Sequence, residues 1–112
     1  MRINQRAYRS AMVLSLADEF SYATRKVFSS AIDQLKQANC SHVILDFKEV
    51  TFVDSAAIGL LALASQQFKA ENRKLSMVSP TGTVKQILEL ANLHKMIPVY
   101  ASEETAVGAA AA

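Results

Sequence analysis

The stretch that decides the fold is residues 43–61, VILDFKEVTFVDSAAIGLL, in the middle of a chain of 112 residues. Together with His42 before it, the start of the stretch forms a near-continuous apolar and β-branched run, residues 42–47, in which Asp46 is the charged residue; such a run is typical of a strand covered on both faces. Beyond Asp54, apolar residues recur at helical spacing, at Ala57, Leu60, Leu61, Ala64 and Phe68. The stretch therefore predicts a buried central strand that leads directly into a helix beginning at Ser55.

The sequence on either side alternates between strand and helix patterns. Strands are predicted near residues 12–16, 75–79 and 96–100, and helices over residues 24–39, 84–91 and from 102 onward. Pro98 places the last strand at a sheet edge, because proline cannot donate to a ladder. The pattern predicts an α/β fold, a small mixed sheet of about four to five strands with an opening hairpin followed by parallel strands. Helices pack against this sheet, and the alanine-rich end is expected to fray from about residue 106.

Composition indicates one ordinary globular domain spanning residues 1–112. The chain is 51% hydrophobic and 20% charged, with only three glycines and two prolines, which suits a packed core. A net charge of +2 is too small for a typical nucleic-acid-binding face, so we expect no nucleic-acid partner. The single cysteine, Cys40, excludes an internal disulfide framework and fits a reducing compartment.

Two apolar segments are too short to enter a membrane. Residues 11–17 follow several arginines but run into Asp18 and Glu19 in place of a small-residue cleavage site, so we do not interpret them as a signal peptide. Residues 56–64 fall far short of the roughly 20 residues that span a bilayer. We therefore expect a cytoplasmic protein without direct membrane insertion.

The junction between strand and helix places Ser55 on the first helical turn. Backbone N–H groups are unpaired there and the helix dipole is positive, so an anion is stabilised. Phosphorylation of Ser55 would add a charge of roughly −1.5 to −2 beside Asp54. The ordinary alternative is a serine that only caps the helix, a role whose loss usually costs about 1 kcal/mol.

Residues 43–61 resemble the signature of STAS domains, in particular those of bacterial anti-sigma factor antagonists. In that family an apolar strand is followed by a loop ending in Asp-Ser, then two short residues, an aliphatic residue and a glycine. Asp54, Ser55, Ile58 and Gly59 occupy the matching positions. The resemblance extends to residues 14–20 and 79–93, and hence over nearly the whole chain.

The resemblance implies a small mixed sheet with packed helices and a partner-switching function. The unphosphorylated protein would bind an anti-sigma factor that is also a serine kinase, and phosphorylation of Ser55 would release it. A metal-dependent serine/threonine phosphatase would restore the binding form. The protein would catalyse nothing and need no cofactor. The implied partner-binding residues are Asp54, Ser55, Ala56, Ala57, Ile58 and Gly59.

Two positions depart from the family pattern. Many members carry a second hydroxyl residue and then glycine after the acceptor serine, whereas this chain has Ala56 and Ala57, which confines phosphorylation to Ser55. Many relatives also have glycine in the early turn before a Glu-aliphatic-Asp element. Here that turn reads DEFS at residues 18–21, without a glycine, so the resemblance does not predict the usual turn geometry for this chain.

Other interpretations remain beside the partner switch. One is a STAS accessory subunit that binds a transporter or an enzyme without being phosphorylated. Another is a small enzyme with Ser55 as nucleophile, although no base lies at a recognisable spacing and no Gly-x-Ser-x-Gly elbow is present.

The remaining candidates for chemistry have ordinary interpretations. Cys40 and His42 are too few ligands for zinc, and His94 suits a helix end. Asp46 and Glu49 are expected to be solvated residues at a strand end. We therefore predict neither a catalytic group nor a metal site.

Overall fold

The computed structural model describes the backbone of residues 1–111 and the side chains of residues 1–109. Its strands are β1 (Arg2–Tyr8), β2 (Ala11–Phe20), β3 (His42–Val53), β4 (Lys74–Val78) and β5 (Val99–Tyr100). Its helices are α1 (Arg25–Gln37), α2 (Ser55–Ala70), α3 (Gly82–Leu90), α4 (Leu93–Met96) and α5 (Glu103–Ala111). A single 3-10 turn, Tyr22–Thr24, precedes α1.

The sheet is mixed and follows the order of the chain, β1-β2-β3-β4-β5. β1 and β2 form an antiparallel hairpin, whereas the pairs β2–β3, β3–β4 and β4–β5 are parallel. β3 lies at the centre, as the apolar run predicts, and the predicted α/β fold with its opening hairpin is confirmed. Among the described residues, no helix is both long enough and apolar enough to span a lipid bilayer.

Alternate residues of β3 belong to two separate cores. Val43, Leu45 and Phe47 join the larger cluster, which includes buried residues of α1, α2 and α3. Ile44 joins the smaller cluster together with Ala106 and Val107 of α5. Because successive side chains of a strand point to opposite faces, α5 covers the face of the sheet opposite α1 and α2. α5 continues through Ala106 and Val107 and buries both, whereas the predicted fraying of the last few residues falls largely outside the residues whose side chains the structure describes.

Asp46 does not lie at a strand end, and that prediction was wrong. β3 continues to Val53, so Asp46 sits mid-strand opposite Ser15 of β2 and Val78 of β4, with only 5% of its surface exposed. Its carboxylate accepts a hydrogen bond from the backbone N–H of Lys48 at 2.9 Å. Glu49 is exposed, as expected.

The last strand is shorter than predicted. Met96 ends the four-residue helix α4, which the apolar pattern of residues 96–100 concealed, and pairing with β4 begins only at Val99. The edge position is correct. Pro98 lacks an N–H, but its carbonyl accepts a hydrogen bond from Met77 at 2.8 Å.

Candidate functional site

Asp54 joins the central strand to α2 and caps the helix. Its backbone is extended, and its carboxylate accepts a hydrogen bond from the N–H of Ala57 at 2.9 Å. The second carboxylate oxygen accepts from the N–H of Tyr22 at 3.0 Å. Asp54 therefore fastens the turn that follows β2 to the start of α2. The capping role considered for Ser55 belongs to its neighbour.

The same two donors hold Asp54 in its charged form. The backbone N–H of Tyr22, followed by that of Ala57, lowers the pKa of the Asp54 carboxyl below its ordinary value, because hydrogen bonds to a carboxylate favour the ionised state. Asp54 thus remains a fixed negative charge beside Ser55 at neutral pH.

Ser55 is the first residue of α2 and is exposed to solvent. Within the part of the chain that the structure describes, its hydroxyl has no hydrogen-bond partner. An exposed hydroxyl at a helix N-terminus is accessible to a modifying enzyme, and the helix dipole there stabilises an added anion. The position thus suits modification better than internal structure.

The six residues predicted to bind a partner divide by exposure. Ser55 and Gly59 are exposed, while Asp54, Ala56 and Ile58 are half-buried. Ala57 is fully buried in the larger core, so its side chain anchors the helix and faces no partner. Ala57 differs from the other five residues because it lies on the side of α2 that faces the sheet, as the helical period of the apolar residues predicts.

Neighbouring aromatic residues extend this surface beyond the sequence-based set. Tyr22, whose N–H binds Asp54, is 61% exposed, and Phe52, two residues before Asp54, is 50% exposed. The guanidinium of Arg25 lies 3.7 Å from the centre of the Tyr22 ring and donates to the Tyr22 carbonyl at 2.7 Å. We call Tyr22, Arg25, Phe52, Ser55 and Ile58 the Ser55 surface.

The early turn keeps a left-handed backbone without glycine. Asp18 has φ of 70°, and the pairing of β2 with β3 shifts register between Asp18 and Glu19. Aspartate tolerates this region better than most residues do. Arg2 donates to the Asp18 carboxylate at 3.1 Å, and Ser21 donates to that of Glu19. These contacts shape the turn that presents Tyr22.

Cys40 and His42 are not brought together as ligands. The thiol of Cys40 donates to the backbone carbonyl of His42, and the buried His42 ring lies 2.9 Å from the hydroxyl of Ser76. Burial, and then the charge of Lys74, lowers the pKa of His42. Within the described residues, no group of three or more His, Cys, Asp or Glu side chains is placed to hold a metal ion.

Comparison with known proteins agrees with this architecture. The chain is 20% identical over 108 residues to an anti-sigma F factor antagonist of Paenibacillus polymyxa, covering 96% of this chain and 92% of that one. It superposes on the crystal structure of an anti-sigma factor antagonist from Mycobacterium paratuberculosis with a TM-score of 0.86, at 19% identity, covering 96% of this chain and 92% of that one.

A second solved structure is that of the Bacillus cell fate determinant SpoIIAA in the phosphorylated form. The TM-score is 0.72 at 18% identity, and the match covers 97% of this chain and 99% of that one. The family model described as the STAS domain matches residues 2–106. This match spans nearly the whole chain, and the chain therefore belongs to the STAS domain family.

Proposed function

We propose that this chain is an anti-sigma factor antagonist controlled by phosphorylation of Ser55. The unphosphorylated form binds an anti-sigma factor that is also a serine kinase. Phosphorylation by that kinase releases the complex, and a metal-dependent serine/threonine phosphatase restores the binding form. The chain itself is the substrate of both enzymes, catalyses nothing, and acts in the cytoplasm.

The observation that supports the proposal most strongly is the exposure of the Ser55 side chain and the lack of hydrogen bonds to its hydroxyl among the described residues. Its hydroxyl is exposed and unpaired among the described residues, while the adjacent Asp54 performs the capping. A hydroxyl that contributes no hydrogen bond to the fold can be modified with little change in stability. The names of the relatives supply the class of partner: the curated relative in Paenibacillus polymyxa is an anti-sigma F factor antagonist.

The Ser55 surface explains how one phosphate can abolish binding. Tyr22, Phe52 and Ile58 offer apolar contact area, and aromatic residues dominate the energetics of many interfaces. A phosphate at Ser55 places a second negative group beside the fixed charge of Asp54, at the centre of this area. A partner that covers the surface must then desolvate the phosphate.

The expected size of the effect is large. An uncompensated charge buried at an interface costs roughly 3–5 kcal/mol. Because 1.4 kcal/mol corresponds to a factor of ten, affinity should fall by about a hundredfold or more. The helix N-terminus accepts the phosphate in the free protein, so the penalty falls on the complex and not on the fold.

Three variants test the proposal against a matched control. Immobilised wild type, Ser55→Ala and Ser55→Asp are used to capture a kinase from an extract of the source cells, and the captured kinase is then incubated with each protein and ATP. We expect phosphate on Ser55 alone in the wild type, binding by the Ala variant, and loss of binding by the Asp variant. Ser30→Asp adds the same charge at an exposed position of α1 and should bind normally.

A different pattern contradicts the switch. Equal binding by all variants, with no phosphate incorporated, would identify a constitutive adaptor of the kind that serves a transporter or an enzyme. Phosphate on a residue other than Ser55 would refute the assigned site.

A further inference from the structure

The guanidinium of Arg25 is held by Tyr22 and by no acidic residue. It lies 3.7 Å from the centre of the Tyr22 ring and donates to the Tyr22 carbonyl at 2.7 Å. Among the residues that the structure describes, no carboxylate forms an ion pair with Arg25. Tyr22 in turn donates its backbone N–H to Asp54 at 3.0 Å. A single residue therefore connects this cation to the residue that precedes Ser55.

The register of the sheet brings the start of α1 and the start of α2 to the same edge. β2 and β3 are parallel neighbours, and their last residues, Phe20 and Val53, are paired. The 3-10 turn then leads from β2 to Arg25, the first residue of α1, whereas β3 leads almost directly to Ser55, the first residue of α2. Both helices pack on the larger core. Arg25 and Ser55 consequently lie beyond the carboxyl ends of adjacent strands.

The first turn of α1 contains two cations at the end of the helix where cations are unfavourable. Arg25 and Lys26 occupy this turn, no acidic residue is present in it, and Thr24 makes no side-chain capping bond. The helix dipole favours negative charge at this end. A sequence that breaks such a local rule often does so for function. An anion beside Arg25 would remove the conflict.

We propose that Arg25 binds the phosphate of Ser55 in the phosphorylated protein and leaves the Tyr22 ring in order to do so. This role presupposes the phosphorylation of Ser55 proposed above. The guanidinium presents its donors in a planar fork that matches two phosphate oxygens, and such pairs are often bidentate. A cation–π contact at an exposed site is weaker than a hydrogen bond between two charged groups.

The movement of Arg25 changes the Ser55 surface in two ways. In the unmodified form a partner meets a cation stacked on Tyr22. In the phosphorylated form the cation is paired within the chain, and the face of the Tyr22 ring is uncovered. Phosphorylation therefore removes a positive contact from the surface as well as adding a negative group.

The test uses the full chain with phosphoserine incorporated at position 55 during synthesis, so that no kinase is needed. The second pKa of the phosphate, ordinarily about 6, is followed by ³¹P NMR. We expect Arg25→Gln to raise this pKa by about 0.5–1, because a nearby opposite charge favours the dianion. Lys26→Gln removes the same charge from the neighbouring exposed position and should have less than half this effect.

A second measurement needs no substitution. In the unmodified protein the ring current of Tyr22 shifts the side-chain proton resonances of Arg25, and phosphorylation should remove that shift. The Arg25 Nε–H resonance should move downfield at the same time. Arg25→Lys keeps the charge but loses the planar fork, so its phosphate pKa should lie between those of the wild type and Arg25→Gln. Amide spectra of each variant check that the fold is retained.

Two results would overturn the role of Arg25. One is the same phosphate pKa in the wild type and Arg25→Gln, and the other is an Arg25 side-chain spectrum that phosphorylation leaves unchanged. A kinase partner that never modifies Ser55 would refute the switch and would alter neither measurement. The two failures are therefore distinguishable.

Discussion

Asp54 is the single residue on which the geometry of the Ser55 surface depends. Its two carboxylate oxygens bind one backbone N–H from α2 and one from the turn before α1. Loss of both contacts in Asp54→Ala should lower the free energy of unfolding by about 1 kcal/mol, the usual loss for a helix cap. The same change should release Tyr22 and weaken partner binding.

The lowered pKa of Asp54 gives this contribution a defined pH dependence. Since the folded pKa lies below the unfolded one, the stabilisation is fully present above about pH 5. It is lost as pH falls through about 4 and below. Asp54→Asn keeps an oxygen acceptor without the charge, so urea unfolding should show wild type more stable than the variant at pH 7, with the gap narrowing as pH falls below about 4. A gap that stays constant would show that ionisation of Asp54 contributes nothing.

Substitution of Gly59 can distinguish an effect on helix stability from an effect on partner binding. It is exposed on α2, and a Cβ there meets no atom within 4 Å, as is also true of Gly108 on α5. Alanine at either position should raise the free energy of unfolding by about 0.5–1 kcal/mol. Only Gly59→Ala should weaken partner binding, because its methyl lies beside the Ser55 surface. Equal binding by both variants would remove Gly59 from the contact area.

The sequence located Ser55 but not the residues around it. The Asp-Ser pair follows a strand and precedes an apolar helical repeat, so its place at the junction could be predicted from local pattern. Tyr22 reaches Asp54 across 32 positions of sequence, and only the fold brings them together. Such a contact leaves no local signature in the chain.

At the scale of elements, α2 packs against the larger core through one side, and its other side is exposed. Leu61 is fully buried, while Leu63, two residues later, is 50% exposed. Leu61→Ala should lower the free energy of unfolding by about 2–5 kcal/mol because a cavity remains in the core. Leu63→Ala should change it by less than about 0.5 kcal/mol. Denaturant unfolding of the pair checks this, and similar losses would contradict the assigned helix orientation.

Helices and strands could be predicted where the spacing of apolar residues is regular. They could not be predicted where pairing with a neighbouring strand sets the length of the element. The start of α2 follows from its apolar repeat. The length of β3 does not, because Asp46 and Lys48 interrupt the apolar run, yet pairing with β2 continues as far as Val53. α4 is likewise hidden, since four residues are too few to show a helical period.

At the scale of the whole molecule, the switch should be electrostatic and local. A phosphate changes the net charge from +2 to about zero, which is large for so small a chain. The Ser55 hydroxyl makes no contact with the core that α2 packs against, so the fold should persist when Ser55 is phosphorylated. Amide NMR of the phosphorylated protein should show shifts confined to the first turn of α2 and to residues near Tyr22. Changes throughout the sheet would indicate a global rearrangement.

The most direct measurement of the central claim is the dissociation constant of the kinase partner for two forms of this chain, unmodified and stoichiometrically phosphorylated on Ser55. The account predicts that phosphorylation weakens binding by about a hundredfold or more, and that phosphatase treatment restores the original affinity. Equal dissociation constants for the two forms would contradict it.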